Sequence, residues 1–182
     1  MRHLIVLPGN SLKNKAWGEL MLETYASQFD SSLMLEYDHW VNGEATIHFE
    51  KEEEKLRAHV ATLSTGTEIV LMAKSAGSLL AFLAIHHRAV SPSHCVFFGI
   101  PFDLAAPDLF KDNWTPVDSF VIPAIAFHNV EDPTTSYEFT ASMLETHAPR
   151  ITLITTHEAD HWYGDMHTYQ PHITEILTTN PK

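Results

Sequence analysis

Ile69-Val70-Leu71-Met72-Ala73-Lys74-Ser75-Ala76-Gly77-Ser78-Leu79-Leu80 is the stretch on which the reading of this sequence turns. Its first half is a continuous apolar run, the pattern of a strand buried on both faces. Its second half opens a segment that is apolar almost all round, with Leu79, Leu80, Phe82, Leu83 and Ile85, the pattern of a helix buried against a sheet. Between them stands Ser75, with the small Ala73 two residues before and Gly77 two residues after. A sharp strand-to-helix turn needs small residues there because the two backbones approach closely. Such a turn points the serine hydroxyl outward and puts helix N-terminal N–H groups beside it, where they can receive a developing oxyanion. The stretch taken alone also fits an ordinary helix start with Ser75 as N-cap.

Working outward, five further short apolar runs recur: Leu4–Leu7, Leu33–Leu35, Cys95–Phe98, Ala124–Phe127 and Ile151–Ile154. Helix-like stretches separate them, at about Lys15 to Gln28, Phe49 to Leu63, Ala76 to Ala89, Thr135 to Thr146 and Pro171 to Thr178. In the second of these, Phe49, Leu56, Val60 and Leu63 share one face, and Glu52, Glu53 and Glu54 are expected to turn to water. Pro171 suits a first helical turn, where its missing N–H costs nothing. Alternation of this kind predicts an α/β fold, a three-layer sandwich with about six parallel strands and helices on both faces. Residues 1–182 read as one domain. The longest irregular segment, Pro101 to Ile122, carries Pro101, Pro107 and Pro116 and reads as a long loop with room for a helical turn.

The chain carries 11 Lys plus Arg against 23 Asp plus Glu, a formal net charge of −12. That balance disfavours nucleic acid and anionic membrane surfaces as partners. The single cysteine, Cys95, sits in an apolar run and reads as a small buried strand residue; no internal disulfide is possible. The apolar run at the start is too short for a signal-peptide core, and no stretch approaches the length that spans a bilayer. The cytoplasm is the expected address.

A serine needs a base, and the base is best oriented by a carboxylate. In a parallel sheet such groups meet only at the C-terminal ends of strands. After the fifth run comes His128-Asn129-Val130-Glu131-Asp132-Pro133, and after the sixth His157-Glu158-Ala159-Asp160-His161-Trp162-Tyr163. The order Ser75, Asp132, His161 results.

These features together, the Ala73-Lys74-Ser75-Ala76-Gly77 turn, the Glu131-Asp132-Pro133 loop and the Ala159-Asp160-His161-Trp162 loop, resemble the α/β-hydrolase superfamily over essentially the whole chain. In size the chain is similar to the short, lidless serine hydrolases of the retinoblastoma-binding-protein-9-like branch. The resemblance implies strand order 2-1-3-4-5-6 without a cap domain. It implies Ser75 as nucleophile, Asp132 as acid and His161 as base. It places the oxyanion hole on the backbone N–H groups of Ala76 and of Asn10, in the loop Leu7-Pro8-Gly9-Asn10-Ser11. Two departures stand out: Ala73 replaces the usual first glycine of the turn, and Pro8 replaces the usual histidine.

Rival assignments stay open. His157 competes for the base and Asp103 for the acid. The cluster His157, Asp160, His161, Asp165 and His167 offers metal-ligating side chains, although not in a helical metal-binding register. A binding protein on the same fold is the alternative to an enzyme. Trp40, Phe102, Trp162 and Tyr163 gather near the same edge; the first three are candidate substrate contacts, and core packing is the competing reading. Lys74 is expected to point away from the nucleophile and is given no role. The expected reaction is hydrolysis of an ester, thioester or amide of a small or extended acyl substrate through an acyl-enzyme on Ser75, with no cofactor.

Overall fold

The computed structural model describes residues 1–104, 109–110 and 113–178. Six strands, β1 (Arg2–Leu7), β2 (Ser31–Met34), β3 (Glu68–Lys74), β4 (His94–Phe98), β5 (Ala124–Asn129) and β6 (Ile151–Thr156), form one sheet in the order β2-β1-β3-β4-β5-β6. Every neighbouring pair is parallel. The helices are α1 (Asn14–Tyr25), α2 (His39–Asn42), α3 (Phe49–Val60), α4 (Ala76–His86), α5 (Thr115–Asp118), α6 (Tyr137–His147) and α7 (Met166–Thr178). Among the described residues no cap domain covers the sheet edge.

Because successive strand residues face opposite ways, each apolar run feeds two cores. Leu71, Ala73, Cys95, Phe97 and Ala126 face one side, where they meet Leu56 of α3, Leu79 and Phe82 of α4, Val117 of α5 and Met143 of α6. Val70, Met72, Val96, Phe98 and Phe127 face the other, against Trp17 and Met21 of α1 and Tyr169 and Ile173 of α7. Cys95 is fully buried, and burial pushes its thiol pKa up, so it is an inert packing residue.

Three expectations are corrected. Glu52 does not face water: its side chain is fully buried, accepting the Asp38 N–H at 2.7 Å and pairing with Lys55 at 2.9 Å. Pro171 lies inside α7 rather than in its first turn. The helix runs through it because Tyr169, Ile173 and Leu177, one turn apart, are buried against the sheet, and this packing outweighs one missing backbone bond. Strand β2 begins at Ser31, two residues earlier than the apolar run, since its polar start pairs with His3 and Leu4 at the sheet edge. Of the long segment after β4, the turn at Thr115–Asp118 is helical, and Pro107 lies outside the described residues.

Gly77 marks the tightest contact between layers. A Cβ there would lie 2.1 Å from the Leu7 carbonyl oxygen and 2.5 Å from that of Pro8, both backbone atoms that cannot swing aside. Gly77→Val is expected to lower unfolding free energy by about 3 kcal/mol or to prevent folding; urea denaturation followed by circular dichroism measures it.

Candidate active site

The turn between β3 and α4 sets the site. Ser75 has φ +51 and ψ −124, a conformation that costs a non-glycine residue energy and persists only where its surroundings fix it. They do so here. The Ser75 N–H donates to the Phe98 carbonyl at 2.9 Å, and the Ser75 carbonyl accepts from the Ser78 N–H at 2.8 Å. Ser78 Oγ donates back to the Ala73 carbonyl at 3.1 Å. Ser75 is therefore not a conventional N-cap: its side chain accepts no capping bond. Ala76 opens α4, so its N–H is one of those without a partner inside the helix.

The β5 and β6 loops supply the other groups. His161 Nδ1–H donates to Asp132 Oδ2 at 2.7 Å. The Asp132 side chain is fully buried and that of His161 is 16% exposed. The other carboxylate oxygen of Asp132 accepts the Thr134 N–H at 2.8 Å and the Thr135 N–H at 3.3 Å. Burial pushes the Asp132 pKa up, but the bonds from His161, Tyr163 and Thr134 outweigh it and hold the carboxyl below its ordinary value. The second ring nitrogen of His161, Nε2, is buried without a hydrogen-bond partner among the described residues. The imidazole edge rests on Gly99, where a Cβ would lie 2.9 Å from His161 Cε1. Gly99 directly follows Phe98, whose carbonyl holds the Ser75 N–H. The imidazole thus lies one residue from the bond that anchors the serine.

The rivals are placed elsewhere. His157 is exposed. Asp103 spends both oxygens on the start of α6, accepting from Thr135 Oγ1 at 2.6 Å and from the Ser136 N–H at 2.8 Å. Asp160 Oδ1 accepts the Trp162 N–H at 2.8 Å, and Asp165 caps the start of α7 through the His167 N–H at 3.1 Å. Among the described residues no three His, Cys, Asp or Glu side chains gather as a metal site.

Asn10 is held by its neighbours. Its carbonyl accepts from His39 Nε2 at 2.6 Å and from Trp40 Nε1 at 2.8 Å, and its side chain accepts the Ile47 N–H at 2.7 Å. The Tyr37 hydroxyl donates to the Pro8 carbonyl at 2.7 Å. Trp40 is thereby an anchor for the Asn10 loop. Phe102 is fully buried between Phe82 and Trp114, so it belongs to the core and presents no face to a ligand. Trp162 is 38% exposed and remains at the surface of the site.

Sequence reasoning missed the role of Tyr163. Its hydroxyl donates to Asp132 Oδ2 at 2.6 Å, the same oxygen that His161 uses, and accepts the Asn129 N–H at 3.2 Å. Burial raises its pKa, so it stays a protonated donor. Tyr163 adopts φ +54, unusual for an aromatic residue. Nothing in its spacing signals that conformation.

No protein-family model matches the sequence, and no curated protein is similar to it at a significant level. Solved structures do match its fold. Est1E from Butyrivibrio proteoclasticus, determined with ferulic acid bound, superposes with a TM-score of 0.75 at 14% identity, over 98% of this chain and 90% of that one. The Pyrococcus furiosus esterase Pf2001 gives 0.73 at 15% identity, over 100% and 82%. Acyl-protein thioesterase 2 from Zea mays gives 0.67 at 12% identity, over 97% and 94%. The fold is that of the α/β hydrolases.

Tyr163→Phe removes one donor from a buried carboxylate and strands the Asn129 N–H. The Asp132 carboxyl is expected to titrate higher, because the lost bond favoured the charged form, and stability to fall by about 2 kcal/mol. Carbon-13 NMR of the Asp132 carboxyl and urea denaturation check the two effects.

Proposed function

We propose that this chain is a serine hydrolase acting through an acyl-enzyme on Ser75, folded as a single domain over residues 1–182. The observation that carries the reading is a buried carboxylate, Asp132, bonded at 2.7 Å to the Nδ1–H of His161, which leaves Nε2 without a hydrogen-bond partner among the described residues. A histidine held in that tautomer is ready to accept a proton at Nε2. The strained turn at Ser75 supplies the hydroxyl and the start of α4 supplies N–H groups.

In this mechanism the Ser75 hydroxyl oxygen attacks the substrate carbonyl carbon while His161 Nε2 takes its proton. Asp132 stabilises the imidazolium without itself becoming protonated. The Asn10 and Ala76 N–H groups receive the oxyanion. Collapse breaks the bond to the leaving alcohol or thiol, or the leaving amine of an amide, which departs with the His161 proton. Water then attacks the acyl group by the same route and restores Ser75.

An ester or thioester of a small acyl group is the favoured substrate class. Names borne by proteins of similar fold, esterase and acyl-protein thioesterase, agree with it. Exposed apolar side chains on the separate connections following β1, β2, β4, β5 and β6, namely Leu12, Val41 of α2, Leu104, Val130 and Trp162, favour an apolar acyl or alcohol part. The lack of a cap among the described residues agrees with the lidless, retinoblastoma-binding-protein-9-like branch. The lone cysteine suits a reducing compartment, and the cytoplasm is the proposed address. Among the described residues no helix is long and apolar enough to cross a membrane.

A fluorophosphonate probe is expected to label Ser75, with the adduct mapped by mass spectrometry, and Ser75→Ala to abolish it. Hydrolysis of short p-nitrophenyl esters should fall by about three or more orders of magnitude in Ser75→Ala and His161→Ala. A folded protein that neither labels nor hydrolyses would leave the binding-protein reading standing.

A further inference from the structure

The least expected group near the site is a cation. Lys74, the last residue of β3 and the one before the nucleophile, is only 2% exposed. A methionine of similar length would fill the same space without the desolvation cost of a charge. What surrounds the ammonium gives that charge work to do. It donates to Asn14 Oδ1 at the start of α1. Its nitrogen lies 6.0 Å from the ring centroid of Trp17 and 5.7 Å from that of Trp162. The charged groups that reach it are Asp132, on the loop after β5, and Asp160, on the loop after β6.

Each neighbour belongs to a different piece of the site. Asn14 packs directly on Gly9, where a Cβ would lie 2.8 Å from the Asn14 amide nitrogen, and Gly9 precedes the proposed oxyanion donor Asn10. Trp162 adjoins His161, the proposed base. One buried charge therefore touches the oxyanion loop, through Asn14, and the histidine loop, through Trp162, while standing on the nucleophile's own strand.

We propose that Lys74 is a positioning residue, whose ammonium clamps the Gly9–Asn10 loop and the His161 loop onto the Ser75 turn, and that hydrolysis needs the clamp charged. The inference rests on the acyl-enzyme reading. A neutral amine still donates to Asn14, but it loses the attraction of both indoles and both carboxylates. Burial pulls the Lys74 pKa down to about 8, against the upward pull of Asp132 and Asp160. The sign is fixed: the charged form prevails below that value and fades above it. A serine hydrolase limited only by its histidine keeps its rate at high pH; this one is expected to lose rate on the alkaline side.

The test is the rate of fluorophosphonate labelling of Ser75, with kcat and KM for a short p-nitrophenyl ester, from about pH 6 to about pH 10. Wild type, Lys74→Met, Lys74→Arg and Asn14→Asp are compared. Wild type should rise through the histidine limb and decline above about pH 8. Lys74→Met should lose about tenfold or more at neutral pH, in kcat rather than KM, and show no alkaline decline. Lys74→Arg, charged at every pH used, should recover part of the rate and also lack the decline. Asn14→Asp places a carboxylate on the ammonium and should move the decline upward. If wild type labels, and Lys74→Met matches it in rate and pH profile, the Lys74 assignment is overturned while the acyl-enzyme reading stands. If Lys74→Met does not fold, an unmoved alkaline decline in Asn14→Asp overturns it. Wild-type protein that never labels sinks the acyl-enzyme reading and this inference with it.

Discussion

The contact at Gly77 is the constraint on which the rest of the structure depends. The first turn of α4 lies against the backbone carbonyls of Leu7 and Pro8 with no space for a side-chain atom. That closeness forces the chain to reverse at Ser75 within one residue, at φ +51. The strain is held by backbone bonds on either side, from the Phe98 carbonyl and to the Ser78 N–H. It also brings the end of β1 and Pro8 beside the start of α4. The strained backbone at Ser75 and the closeness of the Leu7–Pro8 backbone thus have one steric origin.

Charge burial is the second organising cost. Asp132 is fully enclosed and stays ionised because His161, Tyr163 and two backbone N–H groups converge on its oxygens. In the proposed mechanism such preorganisation means that nothing need reorient as the imidazole gains charge. Lys74 answers part of that negative charge, with Asp160 as a second carboxylate in reach. The two loops that carry Asp132 and His161 are joined further by Asn129, whose amide donates to the Asp160 carbonyl at 2.8 Å. His161 and Asp132 are consequently carried on one braced unit rather than on two independent loops.

The loop after β2 has a supporting task. Tyr37, His39 and Trp40 all direct their polar atoms to the carbonyls of Pro8 and Asn10. Their rings stack and tilt against one another, with Tyr37 and Trp40 centroids 4.9 Å apart. An aromatic group near a site invites a reading as a substrate wall. Here three of them meet the demand of buried carbonyl groups for donors, and so set the backbone that would receive an oxyanion.

How far the sequence reaches can be seen residue by residue. The apolar runs determined where the strands lie and that both faces of the sheet are buried, because strand periodicity is local and transfer of apolar side chains from water does not depend on partners. Ala73, Ser75 and Gly77 determined the turn, since steric room is also a local property. The order Ser75, Asp132, His161 followed from loops that a parallel sheet must bring to one edge. Only the tertiary structure put Asp132 rather than Asp103 against His161, turned Glu52 inward, continued α7 through Pro171, tied Trp40 to the Asn10 carbonyl and placed Phe102 in the core. Only it aimed Tyr163 at Asp132 and enclosed Lys74. Each of those depends on which side chain or polar atom, many residues away, arrives in contact, and a pairing of that kind has no period and no spacing by which a linear sequence records it.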